Sequence, residues 1–279
     1  MPELVLLDQS EGVATLTLNR PEKLNAFADD MREHFTAAID TVAARPGVRV
    51  LVVTGAGRAF CTGGDVGFMV RLKEQGATFD GLAPLVSAGG RAIARLAALP
   101  FPTLACVNGP AAGGGCNLAL ACDLRIASDR ASFGESFVRI GLHPDWGGTH
   151  TLPRLVGLSK ALELCWLGDL IDAAEALRIG LVNRVAPHER LAEETRALAV
   201  RLAAAPQASV LAAKRLLRAS SGWSLEQCLD AEIEAQRACW TSPDSTEGVR
   251  AFVEKRKPVF GQGAAGDGAP PTVAARVFE

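Results

Sequence analysis

Thr103-Leu104-Ala105-Cys106-Val107-Asn108-Gly109-Pro110-Ala111-Ala112-Gly113-Gly114-Gly115-Cys116-Asn117-Leu118-Ala119-Leu120-Ala121 is the stretch that decides the fold. Residues 103–107 form a short apolar run, the pattern of a buried strand. Asn108-Gly109-Pro110 turns the chain. The glycine run then opens a short helix through Ala121, and Asp123–Ser128 resumes as a strand. Strand, glycine turn, helix and strand in succession describe a crossover unit of a largely parallel sheet.

The same order holds toward the N-terminus. Residues 3–8 and 12–18 read as two strands around Ser10-Glu11-Gly12, the second alternating Val13, Thr15 and Thr17 against Ala14, Leu16 and Leu18. A helix follows over 28–44, with Phe35, Ala38, Ile39 and Val42 on one face, and Pro46-Gly47 ends it. Val48–Thr54 is a nearly continuous apolar strand, and a glycine-rich loop spans 55–67. A helix over 88–98 precedes the stretch quoted above. Beyond about residue 157 the spacing predicts helices at 159–167, 173–179, 189–204, 208–218, 224–240 and 244–255.

The 279 residues are 48% hydrophobic and 22% charged, enough apolar material for a large core. A net charge of −2 gives no case for nucleic acid. No apolar run reaches the length that spans a bilayer, so no membrane partner is expected. The seven cysteines lack a Cys-x-x-Cys pair, and no secretory segment is read at the start. Reduced thiols in a cytoplasmic protein are the simplest expectation. The four histidines show no metal-ligand spacing, so no metal is expected.

Two loops carry the chemistry. In Thr54-Gly55-Ala56-Gly57-Arg58-Ala59-Phe60-Cys61-Thr62-Gly63-Gly64-Asp65, Gly55 and Gly57 fit half of a dinucleotide fingerprint. Phe60 stands where its third glycine is needed, and Gly63-Gly64 interrupts any following helix. The alternatives are a plain surface turn and a nest of main-chain N–H groups for negative charge. The second loop, Gly113-Gly114-Gly115, sits at a helix start, where unpaired N–H groups and dipole charge favour an anion. Glycine there also suits close packing of helix on strand. Two such loops, each after a buried strand, suggest a pair of donors aimed at one oxygen.

Asn19-Arg20-Pro21 with Leu24-Asn25-Ala26, the segments 57–65 and 109–116, and Ala121-Cys122-Asp123-Leu124-Arg125 together resemble the crotonase superfamily of enoyl-CoA hydratases and isomerases. Gly147-Gly148-Thr149, Leu152-Pro153-Arg154-Leu155-Val156-Gly157 and residues 254–260 extend the resemblance over nearly the whole chain. It implies an α/β fold, a ββα superhelix of two stacked sheets with a C-terminal helical layer that makes trimers, sometimes paired into hexamers. It divides the chain into a core over 1–200 and a helical oligomerisation domain over 201–260. Residues 261–279, rich in Gly, Ala and Pro, are expected to form a flexible tail. The resemblance also implies an acyl-CoA substrate, with coenzyme A entering as part of the substrate and no separate cofactor. Gly64 and Gly114 would supply the two oxyanion donors. Lys23, Ala26, Gly63, Asp65, Lys255 and Phe260 are candidate contacts to substrate or coenzyme A.

Where the family's hydratases carry two glutamates, this sequence has Asn117 and Phe137. Neither is a general base. The segment 136–149 resembles instead a branch typified by ring-epoxide phenylacetyl-CoA isomerases, which places its aspartate at Asp145. One carboxylate suffices to take a proton from one carbon and return it to another. The plainer reading of Asp145 is a helix N-cap before Trp146-Gly147-Gly148-Thr149. Asn117, Phe137 and Trp146 are candidate substrate contacts, or else core. Glu135 is the nearest spare carboxylate. Cys61 and Cys116 read as small apolar fillers.

Overall fold

The computed structural model describes residues 3–28 and 30–261. They divide into two compact units between Val200 and Arg201. The tail expected over 261–279 lies, apart from Gly261, outside the described residues.

In the first unit, β1 (Val5–Ser10) and β2 (Val13–Leu18) form an antiparallel hairpin. Glu11 and Gly12 turn it at positive φ, 51° and 76°. β2 then pairs parallel with β3 (Val50–Gly55), which requires the crossover made by α1 (Met31–Ala44). Met31, Phe35, Ile39 and Val42 repeat at helical spacing and are the buried face of α1. From β3 the chain runs through α2 (Val66–Glu74) and α3 (Phe79–Ala97) to β4 (Thr103–Val107). β5 (Ala111–Ala112) and α4 (Gly114–Ala121) lead to β6 (Leu124–Ser128). β7 (Ser132–Gly134), α5 (Gly148–Val156), α6 (Leu158–Leu167), β8 (Ile171–Asp172), α7 (Ala173–Arg178) and β9 (Arg184–Ala186) follow.

A six-stranded sheet has the order β1-β2-β3-β4-β6-β9, and a second of three strands has the order β5-β7-β8. The expected α/β fold with two sheets is present. β3 and β4 are buried on both faces, as their apolar runs require, and both glycine loops leave their C-terminal ends. The α8 helix (Leu191–Ala203) carries the chain across the division. The second unit is helical, with α9 (Gln207–Ala219), α10 (Leu225–Trp240) and α11 (Pro243–Val253). Ser224 and Gln227 close a capping box on α10, and Ser242 caps α11. No described helix is long and apolar enough to cross a membrane.

Three features differ from the sequence reading. The hairpin strands begin at Val5 and Val13, so the first is displaced toward the turn. The helix expected over 88–98 begins at Phe79, and Gly148–Val156 is a helix of its own. Gly81 and Pro84 lie in the first half of α3 and lower its intrinsic helix preference there, which hides that half.

Candidate active site

The first glycine loop is fastened by side chains from the segment before α1. Asn25, wholly buried, donates to the carbonyls of Ala56, Ala59 and Phe60 at 2.9, 2.8 and 3.2 Å. Its own oxygen accepts the Arg20 N–H at 2.9 Å. Phe27 N–H donates to Gly63 O at 2.7 Å, and Asp65 N–H donates to Phe27 O at 3.0 Å. These two bonds bracket Gly64 and turn its own N–H to the opposite side. That N–H has no acceptor among the described residues. Asp65 caps α2 by accepting the Phe68 N–H at 3.2 Å. Arg20 Nη1 reaches Asp65 Oδ2 at 2.8 Å and Ala26 O at 3.0 Å. Burial works to raise the Asp65 pKa. The Arg20 hydrogen bond, the Phe68 N–H, the Arg20 charge and the Gly67 N–H outweigh it, so the carboxyl sits below its ordinary value.

The second loop is fastened by main chain. Ala112 N–H donates to Cys61 O at 3.0 Å, and Gly113 N–H donates to Gly134 O at 2.8 Å. Gly113 takes φ +53°, and Gly114 begins α4. As the first residue of a helix, Gly114 has no intrahelical acceptor for its N–H, and the described residues offer no other. The loops touch. A Cβ on Gly63 would stand 2.9 Å from the Gly114 nitrogen, and one on Gly115 would stand 2.1 Å from Cys61 O. Glycine at these positions is therefore a condition of the contact. Cys61 is sealed between the loops and its thiol is pushed up to about 12 by burial, which keeps it neutral.

Trp146 closes one side. It adopts φ +50°, meets Phe27 edge to face at 4.9 Å, and lies against Gly114 and Gly89. A Cβ on Gly89 would fall 1.9 Å from the indole nitrogen. Phe137, nearly buried, sits 3.7 Å from the Cβ position of Gly113, and Met69 of α2 reaches over Gly64.

Asp145 is not a helix cap. Gly147 holds that position for α5, no side chain caps it, and only the main-chain carbonyl of Asp145 accepts the Gly148 N–H, at 3.1 Å. No other side chain bonds the Asp145 carboxyl among the described residues. Burial raises its pKa to about 6 against the opposing effects of the Arg32 charge, its own N–H and His143. Asn117 is wholly buried. Its amide donates to Asp145 O at 2.8 Å and to Glu135 Oε2 at 3.3 Å, so it braces protein groups and is not exposed to a ligand. Glu135, 1% exposed, is raised to about 7 by burial and by the Asp145 charge, although the Cys116 thiol and the Asn117 amide act the other way.

The first unit thus gathers Gly63, Gly64, Gly114, Phe137, Asp145 and Trp146 around the two loops. Lys23 is exposed on the 3-10 turn Pro21–Lys23, and its carbonyl accepts the Ala26 N–H. Lys255 and Phe260 belong to the second unit. Lys255 is exposed just after α11 at φ +53°, and Phe260 lies on Gly248. The sequence reading missed Phe27, Gly89, Met69 and Arg32. Arg32 is 6% exposed and donates to Phe27 O at 3.3 Å. Its place on the Phe35–Ile39 face of α1 was the available signal.

Two touching glycine loops with unpaired main-chain N–H groups, an aromatic wall and a buried carboxyl of raised pKa lie together on a two-sheet α/β fold, an arrangement suited to an enzyme. A sequence model of the family "Enoyl-CoA hydratase/isomerase" matches residues 8–263, and the chain belongs to that family. It is 37% identical to the crotonyl-CoA hydratase of Syntrophomonas wolfei over 92% of this chain and 98% of that one. It is 38% identical to the 1,2-epoxyphenylacetyl-CoA isomerase of Escherichia coli over 93% and 99%. The crystal structure of an enoyl-CoA hydratase from Bacillus anthracis superposes with a TM-score of 0.85 at 32% identity, covering 92% of this chain and 98% of that one.

Proposed function

We propose that this member of the family is an enoyl-CoA isomerase, moving a double bond or opening a related strained ring through a thioester enolate. The N–H groups of Gly64 and Gly114 hold the thioester oxygen. The Asp145 carboxylate takes a proton from the α carbon of a 3-enoyl-CoA, and the electron pair moves onto that oxygen. Protonated Asp145 then delivers the proton to the γ carbon, and the enolate collapses to the 2-enoyl-CoA. The donors act because the oxyanion is more charged than the ground-state carbonyl.

The observation that carries this reading is the Asp145 carboxyl, beside Trp146, with no other side chain bonded to it and a pKa near 6. A carboxyl tied up as a cap or in an ion pair would be too weak a base to shuttle protons at neutral pH. Coenzyme A enters as part of the substrate, with Lys23 and Ala26 as its candidate contacts in the first unit. Phe137 and Trp146 are suited to wall the acyl group.

A second reading is hydration. Several similar proteins, the crotonyl-CoA hydratase of Syntrophomonas wolfei among them, carry hydratase names, and Glu135 is a second carboxyl near Asp145. Turnover of 3-enoyl-CoA and hydration of crotonyl-CoA, each with wild type and Asp145→Ala, separate the two. Isomerisation should fall about a hundredfold or more in the variant. Faster hydration than isomerisation, undisturbed by the variant, would favour the hydratase.

We also infer assembly of the second unit into a homotrimer, or a hexamer of two trimers. Leu217, Phe252 and Val253 are 75%, 85% and 75% exposed, an apolar display that favours burial against other copies. Sedimentation equilibrium giving a monomer at micromolar concentration would overturn it.

A further inference from the structure

Glu135 plays no part in the isomerisation above, yet it is the most deeply buried carboxylate near the site. It lies between β7 and the 3-10 turn Ser136–Ile140, directly after Gly134. Gly134 O accepts the Gly113 N–H at 2.8 Å, so the main chain leading to Glu135 is fastened to the second glycine loop. Its Oε2 accepts from Asn117 Nδ2 at 3.3 Å, and the same nitrogen donates to Asp145 O at 2.8 Å. Both neighbours of that nitrogen are oxygens, so only the NH2 end of the amide fits there. The amide is also wedged sideways: a Cβ on Gly148 would lie 2.5 Å from its Nδ2 and Oδ1. Asn117 stands one turn along α4 from Gly114. An unbroken set of contacts therefore joins the Gly114 donor to the main chain of Asp145.

We propose that Glu135 is a positioning residue for proton transfer: its carboxyl orients the Asn117 amide, and the amide holds the main chain of Asp145 in register with the Gly114 N–H. The proposal rests on the reading of Asp145 as the proton carrier. It gives a reason for an asparagine sealed from solvent beside a candidate active site, and for a carboxyl whose Oε1 is buried without a partner. An unpaired buried acceptor costs stability, and a group kept at such a cost is suited to a functional role. A misplacement of about 1 Å at a reacting group can cost about a hundredfold in rate, so a modest brace is worth keeping. The titratable and charged groups around the pair are Cys116 of α4, Cys165 of α6, and Asp145 ahead of α5. Arg32 of α1 and His143 act on Asp145 from its other surroundings.

The test compares wild type with Glu135→Met and Glu135→Gln. Methionine keeps length and removes the acceptor, whereas glutamine keeps an acceptor oxygen for the Asn117 amide. Two readouts are taken: steady-state turnover of 3-enoyl-CoA, and the titration of Asp145 followed by 13C NMR of labelled aspartate, assigned with Asp145→Asn. We expect Glu135→Met to lower kcat about tenfold with KM within about twofold, and Glu135→Gln to restore kcat to within about threefold. The Asp145 midpoint should move in the methionine variant and return in the glutamine variant. An unmoved midpoint and kcat in Glu135→Met overturn the proposal. So does a glutamine variant as impaired as the methionine one. If wild type turns over no acyl-CoA, the isomerase reading falls and the NMR arm alone decides: a displaced and restored midpoint keeps the brace, and an unmoved one discards it.

Discussion

The two glycine loops touch, and each is fastened by a buried asparagine amide and main-chain bonds, but only the first adds a charged pair. The loop carrying Gly64 is held by the buried Asn25 amide and Phe27 main chain and, in addition, by a charged clamp, Arg20 on Asp65, with Asp65 also capping α2. The helix carrying Gly114 is held by neutral, buried groups: the Asn117 amide, the Glu135 carboxyl and main-chain bonds to β7. The clamp favours an ionised carboxyl, whereas burial in the interior set favours a protonated one. The difference teaches that two similar donors can respond to pH with opposite signs, because each inherits the electrostatics of what holds it.

The largest effect should come where the loops touch. Gly115→Ala drives a Cβ to 2.1 Å from the main-chain oxygen of Cys61, and no flexible side chain is there to yield. One loop has to move, at a cost of about 3 kcal/mol or more. Activity should fall at least about a hundredfold, because both donors lose their common aim. Thermal unfolding and turnover together check this. A stable, active Gly115→Ala protein would show that the loops are not in the contact described.

The second effect isolates the neutral fastening. Glu135 has its pKa raised from 4.5 to about 7 in the fold, so the folded state binds more protons than the unfolded state between those values. Stability should therefore fall as pH rises from about 4.5 to 7 and stay level above, with a total near 3 kcal/mol at most. Glu135→Gln removes that slope and should be the more stable protein at pH 8, whatever it does to the rate. Chemical denaturation at pH 5 and pH 8 measures it. Equal stability differences at the two pH values would mean that Glu135 is not held protonated.

The contrast between the loops also marks how far the sequence could be read. The strand and helix order was legible because apolar spacing differs between the two, as in Val48–Thr54 and in the Phe35–Ile39 face. The loops were legible because glycine is needed where main chain meets main chain. What holds them was not. Arg20 and Asp65 are 45 residues apart, and nothing in either segment announces the pair. Gly89 lies inside an expected helix with nothing local to mark its role, yet Trp146 demands it, since the indole occupies the place of a side chain. From sequence Asn117 fits either a substrate contact or the core, and the structure turns it inward because two acceptors, Glu135 and the Asp145 carbonyl, converge on its amide. Such partners are set by tertiary packing, which local spacing does not encode.

The smallest effect, and the one that most directly separates the loops, belongs to Asp65. Its carboxyl is held below the ordinary value, so its contribution is present above that value and is lost as pH falls through the lowered one. This is the reverse of Glu135. Asp65→Asn keeps an oxygen to cap α2 but gives up the charge that Arg20 grips at 2.8 Å. Both side chains are largely covered, 17% and 14% exposed, so the lost pairing should cost about 1 kcal/mol near neutrality, more than a surface pair and less than a sealed one. That difference from wild type should shrink as the pH falls through the lowered Asp65 value, where wild type gives up the same charge. The rate at pH 7 should drop only severalfold, because Asn25 and the Phe27 bonds still hold Gly63 in place. If the gap instead persists unchanged after the wild-type carboxyl has titrated, the clamp acts through shape and not charge, and the two loops are fastened more alike than their residues suggest.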